Sequence, residues 1–474
     1  MKAKQLFILS TLLMILLLAV QGFAQEITLA EYLHFVEENH PFFTKEALSA
    51  EIERKQAEGL LGAEDWLVGV SPYFNYLGEA SAAQYSADRL ASTGAQASLD
   101  RSLWSTGGKL GFSVVSDFSY MDTAQGNVRN FKQGIGVSYT QPLLKNLGGK
   151  LDRLGHELSA YSIDVTEIQA LENQETLILD LSVRFLDWAH LSEMIRIAEE
   201  RLKLAREQLE QVKRRFSSNL VDRVDVLRGE DAVRGAEQGL LQLRSQWRAK
   251  QAELAVLAQV GEIYEKVPRF ELYTFESLPG VDAAVSELKQ RSRILQPFSI
   301  LKKQLIHQRA GLVEQKRPEL NLILSGGFFG WDPEFLQSLL ITKPDASVSL
   351  EFKALLGNRG ITAEMEVIDI QLQRLQAESR DLEITLEASL RNLLLQMADM
   401  GKILELNQAQ IESAQEKTKE ELKLYNQGRG QLTFVIQSRD NEQNARLSYV
   451  DNAALYHLLK LQYQALLDKL YPLK

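Results

Sequence analysis

The sequence contains no cysteine, which excludes disulfides, thiolate metal sites, a catalytic thiol and a lipid attached through an N-terminal cysteine. Histidine is scarce. The six present are scattered without metal-ligand spacing, and Glu37 and His40 stand three apart in isolation. No long basic stretch occurs and the formal net charge is -10, which argues against a nucleic-acid partner. The segment Thr106-Gly107-Gly108-Lys109-Leu110 lacks the upstream glycine and the following Ser/Thr of a phosphate loop, so it reads as a turn. Carboxylates are plentiful but fall on the outer faces of heptad-patterned segments and imply no cleft. These absences point away from an enzyme, and neither a cofactor nor a metal is expected. After Ala24 no apolar run reaches the length a membrane helix needs. A chain that enters a membrane without such a run must do so as β-strands.

What is present begins with an address. Lys2 and Lys4 precede an almost wholly apolar run from Leu6 to Val20, and Gly22-Phe23-Ala24 offers small residues where a signal peptidase reads. Residues 1–24 read as a secretory signal peptide cleaved after Ala24; the alternative is a single membrane anchor, for which the run is short.

The remainder reads as two similar halves, residues 25–261 and 262–474. In the first, a helix carrying His40-Pro41-Phe42 leads to strands at about 66–142 and long helices at about 151–215 and 222–260. In the second, a helix at about 281–316 carrying Gln296-Pro297-Phe298 leads to strands at about 318–353 and long helices at about 361–425 and 432–470. In the long helices Leu191, Ile195, Ala198, Leu202, Ala205, Leu209, Val212 and Phe216 alternate three and four apart. Met400, Leu404, Asn407, Ile411, Ala414, Thr418, Glu421 and Tyr425 do the same. That spacing specifies a coiled-coil seam. A helix of such reach would be about 100 Å long, beyond what globular domains usually hold.

The strands alternate with period two. Val68, Val70, Pro72, Phe74 and Tyr76 oppose Gly69, Ser71 and Asn75. Phe131, Ile135, Val137 and Tyr139 oppose Lys132, Ser138 and Thr140, and Val348, Leu350 and Phe352 oppose Ser347, Ser349 and Glu351. The pattern fits a barrel with lipid outside and water inside, or a soluble sandwich with one wet face. A pair of segments near 95–104 and 108–120 has no counterpart in the second half; it either enlarges a barrel or stands above one. Trp66, Trp104, Tyr120 and Trp331 suit an interfacial aromatic belt, or ordinary strand packing. Four or six strands cannot close alone, and open edges cannot face lipid, so a membrane location requires several chains to share one barrel.

These features resemble the TolC-like outer membrane efflux protein family over about residues 26–470. The resemblance rests on the duplicated layout, on Thr28-Leu29-Ala30-Glu31-Tyr32 with His40-Pro41 downstream, and on Gln141-Pro142-Leu143-Leu144. It rests most on two hairpin motifs, Phe216-Ser217-Ser218-Asn219 running to Asp225-Val226-Leu227, and Tyr425-Asn426-Gln427-Gly428 running to Phe434-Val435-Ile436. It implies an α+β membrane protein: a homotrimer sharing a twelve-stranded outer-membrane β-barrel, about four strands per protomer, continued by a long antiparallel α-helical coiled-coil barrel through the periplasm. It implies a passive exit duct of a Gram-negative tripartite efflux or type I secretion system. The partners implied are a periplasmic adaptor, an inner-membrane transporter and outer-membrane lipid. The rival class is a soluble periplasmic coiled-coil scaffold or adaptor.

The resemblance also assigns residues. Asp225 matches a gate acid and Tyr425 the gate tyrosine, with Arg223 and Arg429 as nearby candidate cations. The other acid positions hold Phe434 and Gln437, and the gate arginine position holds Gly430, so the closing network is altered. Ser218, Asn219 and Leu220 with Gln427 and Gly428 occupy the hairpin tips where adaptors bind. Without the resemblance, Asp225 is an acid suited to a helix start, and Phe216 and Tyr425 are aromatics sealing the hairpin seam.

Overall fold

The computed structural model describes residues 25–78, 87–123 and 126–472, so the proposed signal peptide and its cleavage after Ala24 lie outside the described residues. The fold resolves into two compact units interleaved in sequence. One holds the chain up to Leu48, Gln169–Leu295 and the chain from Asp381; the other holds Ser49–Ile168 and Gln296–Arg380.

The strand unit contains β2 (Leu67–Gly78), β3 (Ala87–Leu103), β4 (Gly108–Thr123), β5 (Gly126–Pro142), β7 (Glu319–Asp332) and β8 (Lys343–Lys353). They form one antiparallel sheet in the order β2-β3-β4-β5-β7-β8. This corrects the expectation of about four strands per protomer. The 95–120 hairpin is not set apart: Leu99 pairs with Phe112 and Val114 with Ile135, in register with both neighbours. Register also aligns the apolar side chains. Val68 opposes Leu99, which opposes Phe112, which opposes Val137; Ile135 opposes Phe328. Since side chains alternate faces along a strand, these residues share one face across the sheet. Gly69, Ser98, Gly111 and Ser138 share the other.

The β3–β4 turn is fixed to the corner after β5. Glu64 Oε1 accepts the Trp104 N–H at 2.8 Å. Arg153 donates to the Trp104 and Gly148 carbonyls at 3.1 and 2.8 Å, and the Gly148 N–H donates to the Thr106 carbonyl at 3.1 Å. Trp104 is therefore buried, edge-on to His156 at 6.0 Å between ring centroids, rather than part of an exposed belt. Trp331 is exposed but lies on the polar face, near Lys132. Trp66 and Tyr120 keep to the apolar face, Trp66 against Phe112. Gly149 has φ +65°, and a Cβ there would lie 1.8 Å from the Trp104 carbonyl oxygen. Gly149→Ala should thus destabilise by about 1–3 kcal/mol through strain. The check is the thermal midpoint in detergent, and an unchanged midpoint would mean the corner yields freely.

The helical unit draws on α1 (Leu29–Asn39), α4 (Arg223–Ala258), α5 (Val281–Arg291), α9 (Leu432–Leu466) and the later parts of α3 (Lys150–Ser217) and α8 (Arg359–Asn426), whose first turns up to Ile168 and Arg380 belong to the strand unit. The helix α2 (Pro41–Leu60) and α6 (Gln296–Gln315) fall mainly in the strand unit, with the short α7 (Phe335–Ser338) between β7 and β8. Both shorter helices expected from sequence are broken in two. His40 is extended, as a residue before proline is biased to be, and Pro41 opens the next helix where its missing N–H costs nothing. Ser292 leaves the helical region before a short turn at Arg293–Leu295.

The seam residues pack as their spacing requires. Ala198 and Leu202 meet Ala236 and Leu240 between α3 and α4. Met397, Met400 and Leu404 meet Ala453 and Tyr456 between α8 and α9. Polar seam positions are bonded across: Asn452 Nδ2 donates to Asn407 Oδ1 at 2.6 Å, and Thr418 Oγ1 donates to the Ser438 carbonyl at 3.2 Å. A two-stranded parallel sheet, β1 (Gln25–Thr28) with β6 (Lys266–Arg269), closes one end of α1. Four residues per strand are too few to leave a readable alternation in the sequence.

Candidate functional site

The two helical hairpins end in turns of the same geometry. After α3 the Leu220 N–H donates to the Arg215 carbonyl and the Asn219 N–H to that of Phe216. After α8 the Arg429 N–H donates to Leu424 and the Gly428 N–H to Tyr425. Each pair of bonds satisfies carbonyls that a helix end leaves orphaned, and each requires a left-handed residue. Asn219 supplies it at φ 58° and Gly428 at φ 75°. The proposed tip residues Ser218, Asn219, Leu220, Gln427 and Gly428 are all exposed.

Behind the tips the hairpins pack on each other through Val212, Tyr425, Leu432 and Val435. Tyr425 is 3% exposed, as a sealing aromatic should be, whereas Phe216 is 42% exposed. The expectation that Phe216 seals the seam is corrected: Val212 already fills the contact with Tyr425, and the last turn of α3 projects past it.

A residue overlooked in the sequence organises this contact. Arg215 lies over the Tyr425 ring at 4.4 Å and donates to the Tyr425 and Asn426 carbonyls at 3.0 and 3.1 Å. It thereby caps the end of α8 with a cation, where the helix dipole favours one. The Lys213-Arg214-Arg215 run was a visible sign of a helix end, but its target on another helix was not. Arg215→Met should loosen the hairpin pair, raising protease cleavage in 216–222 and 426–431 severalfold. Equal cleavage in both proteins would assign Arg215 a surface role only.

Asp225 stands in the first turn of α4, and its ion pair within the protomer is with Arg228 at 3.1 Å. Arg223 and Arg429 are exposed, as are Phe434 and Gln437.

One cluster of possible metal ligands occurs among the described residues: Glu172, Glu175 and Asp468. Its centre is taken by Arg293. The guanidinium pairs with Glu172 at 2.8 Å, with Asp468 at 3.7 Å and closely with Glu175. The Arg293 N–H donates to Asp468 Oδ2 at 2.7 Å, and its side chain donates to the Tyr471 carbonyl at 2.9 Å. The donor set thus serves a buried cation of the chain itself. Burial raises the Glu172 carboxyl above its ordinary range, with Asp468 adding to the rise; burial likewise raises Asp468.

No protein-family model matches the chain, and no curated protein sequence does. Solved structures do match along nearly its whole length. The outer membrane protein VceC of Vibrio cholerae superposes with a TM-score of 0.65 at 11% identity, over 93% of this chain and 96% of that one. This is the fold of the TolC-like outer membrane efflux proteins. The Neisseria gonorrhoeae MtrE outer membrane channel, in an open state, matches that fold with a TM-score of 0.65 at 15% identity, over 93% and 89%. The Campylobacter jejuni CmeC outer membrane channel does so at 0.65 and 12%, over 93% and 85%.

Proposed function

We propose that the chain is one protomer of a homotrimeric outer-membrane exit duct, internally duplicated, that passes its cargo passively through a tripartite efflux or type I secretion system. The carrying observation is the sheet. One face is apolar across all six strands, with Val68, Val114, Ile135, Phe328 and Val348 exposed on it, and both edges are open among the described residues. Such a face suits lipid, and such edges are tolerable in lipid only when sister copies cover them. The long hairpins then supply the periplasmic tunnel, with their tips toward an adaptor and an inner-membrane transporter. The likeness to outer-membrane channels supports this reading. Fractionation should place the protein in detergent-resistant outer membrane, and the purified trimer should conduct ions across a planar bilayer. A monomer in the soluble periplasm that leaves bilayers intact would overturn the proposal in favour of a scaffold or adaptor.

Within this reading Asp225 belongs to the closed end of the tunnel. Three copies would form a ring of carboxylates, each held by Arg228 in its own protomer. Asp225→Ala is expected to raise single-channel conductance. Unchanged conductance would leave Asp225 as a helix-start acid alone.

A further inference from the structure

We infer that the barrel shared by the copies has six strands from each chain, about eighteen in a trimer, closed by β8 of one copy against β2 of the next. The inference rests on the proposed trimeric duct and concerns how its wall is built. The β3–β4 hairpin cannot be a plume above a narrower barrel. Its turn is held at the same end of the sheet as the β5 exit, by Glu64, Arg153 and the Gly107–Gly149 contact. Its strands are paired along almost their full length on both sides.

Three observations select β2 and β8 as mutual partners. They are 12 and 11 residues long. The even strand count makes β8 run opposite to β2, so each added copy continues the antiparallel alternation. Their apolar side chains are also the barest on the face. Val68 and Val70 are 69% and 67% exposed and Val348 and Leu350 are 73% and 66%, against 43% and 39% for Val137 and Leu324 of interior strands. That difference is the missing lateral neighbour. Pro72 and Pro344 remove a bond or two from the ladder, a device that discourages indiscriminate edge pairing. The consequence is width. Barrel diameter grows roughly linearly with strand number, so this wall would be about half as wide again as a twelve-stranded one.

The absence of native cysteine makes the test direct. Ser71→Cys in β2 is combined in turn with Ser347→Cys and with Ser349→Cys in β8, all polar-face positions and together covering a two-residue shift in register. Oxidation of the outer-membrane protein should give a covalent dimer and trimer ladder in at least one combination. A control pairs Ser113→Cys in β4 with the same β8 positions and should give none. Cross-linking through Ser113→Cys instead would make β4 the edge strand of a shared barrel that excludes β2 and β3, sinking this inference while sparing the trimeric duct. Loss of both, in a protein that sediments as a monomer before oxidation, would sink the duct as well. A second readout needs no cysteine: polyethylene glycols that cannot enter twelve-stranded pores should still lower the conductance, and their exclusion would refute the wider wall.

Discussion

Arg293→Met should cost the helical unit about 3–5 kcal/mol, because removing one partner leaves buried charges uncompensated. The guanidinium is 11% exposed and serves Glu172, Glu175 and Asp468 together, at 17%, 4% and 9% exposure. Three carboxylates face one cation, so the cluster is already short of positive charge in the native chain. The pH dependence follows from the raised carboxyls. In the folded state Glu172 and Asp468 hold protons to higher pH than they would unfolded. Their contribution to stability is full below the ordinary carboxylate range and is lost as pH rises through the raised values. Glu172→Gln should therefore stabilise at neutral pH, since the amide oxygen can still accept from Arg293 Nε without a charge to desolvate. In Arg293→Met the defect should be largest at alkaline pH and shrink on acidification. Thermal melting by circular dichroism across pH reads both. An Arg293→Met defect independent of pH would assign the loss to packing rather than charge.

Much of this architecture was legible because it repeats locally. A three-four alternation that includes Leu202, Leu209, Met400 and Leu404 allows little besides a helical seam, and all four are buried. Alternation in Val68 to Tyr76 and in Phe131 to Tyr139 likewise fixed which side chains share a face. Partners distant in sequence were not legible. The β5–β7 pairing joins Ile135 to Phe328, and nothing in either strand names the other. Hence the sheet order, and the place of the first hairpin in it, emerged only from register. Arg293 was overlooked for the same reason, its acids lying at 172, 175 and 468. Trp104 shows the opposite failure. Its type suggested a membrane interface, yet its position in a turn put it under Glu64 and Gly149. The tip residues followed from the paired motifs, whereas Arg215 did not, because a cap supplied by another helix leaves no spacing to read.

Ile135→Arg is expected to reduce assembled trimer in the outer membrane by more than tenfold. Ile135 lies near the middle of β5, exposed on the apolar face and flanked in register by Val114 and Phe328. At mid-bilayer a lipid-facing arginine costs about 2–4 kcal/mol in an outer-membrane barrel, and each 1.4 kcal/mol is about tenfold in an equilibrium. The trimer would carry that cost three times. Mid-strand position alone does not make the penalty, and Gln96→Arg separates the two. Gln96 sits near the middle of β3, exposed, opposite Ser71 and Val115 on the other face. There the new cation would meet water in the lumen, so assembly should persist and the channel should shift toward anions. Quantifying trimer on unheated gels, with ion selectivity in bilayers, tests both arms. Equal assembly of the two variants would mean that the Val68–Ile135–Phe328 face does not meet lipid, and the sheet would then have to be covered by protein instead.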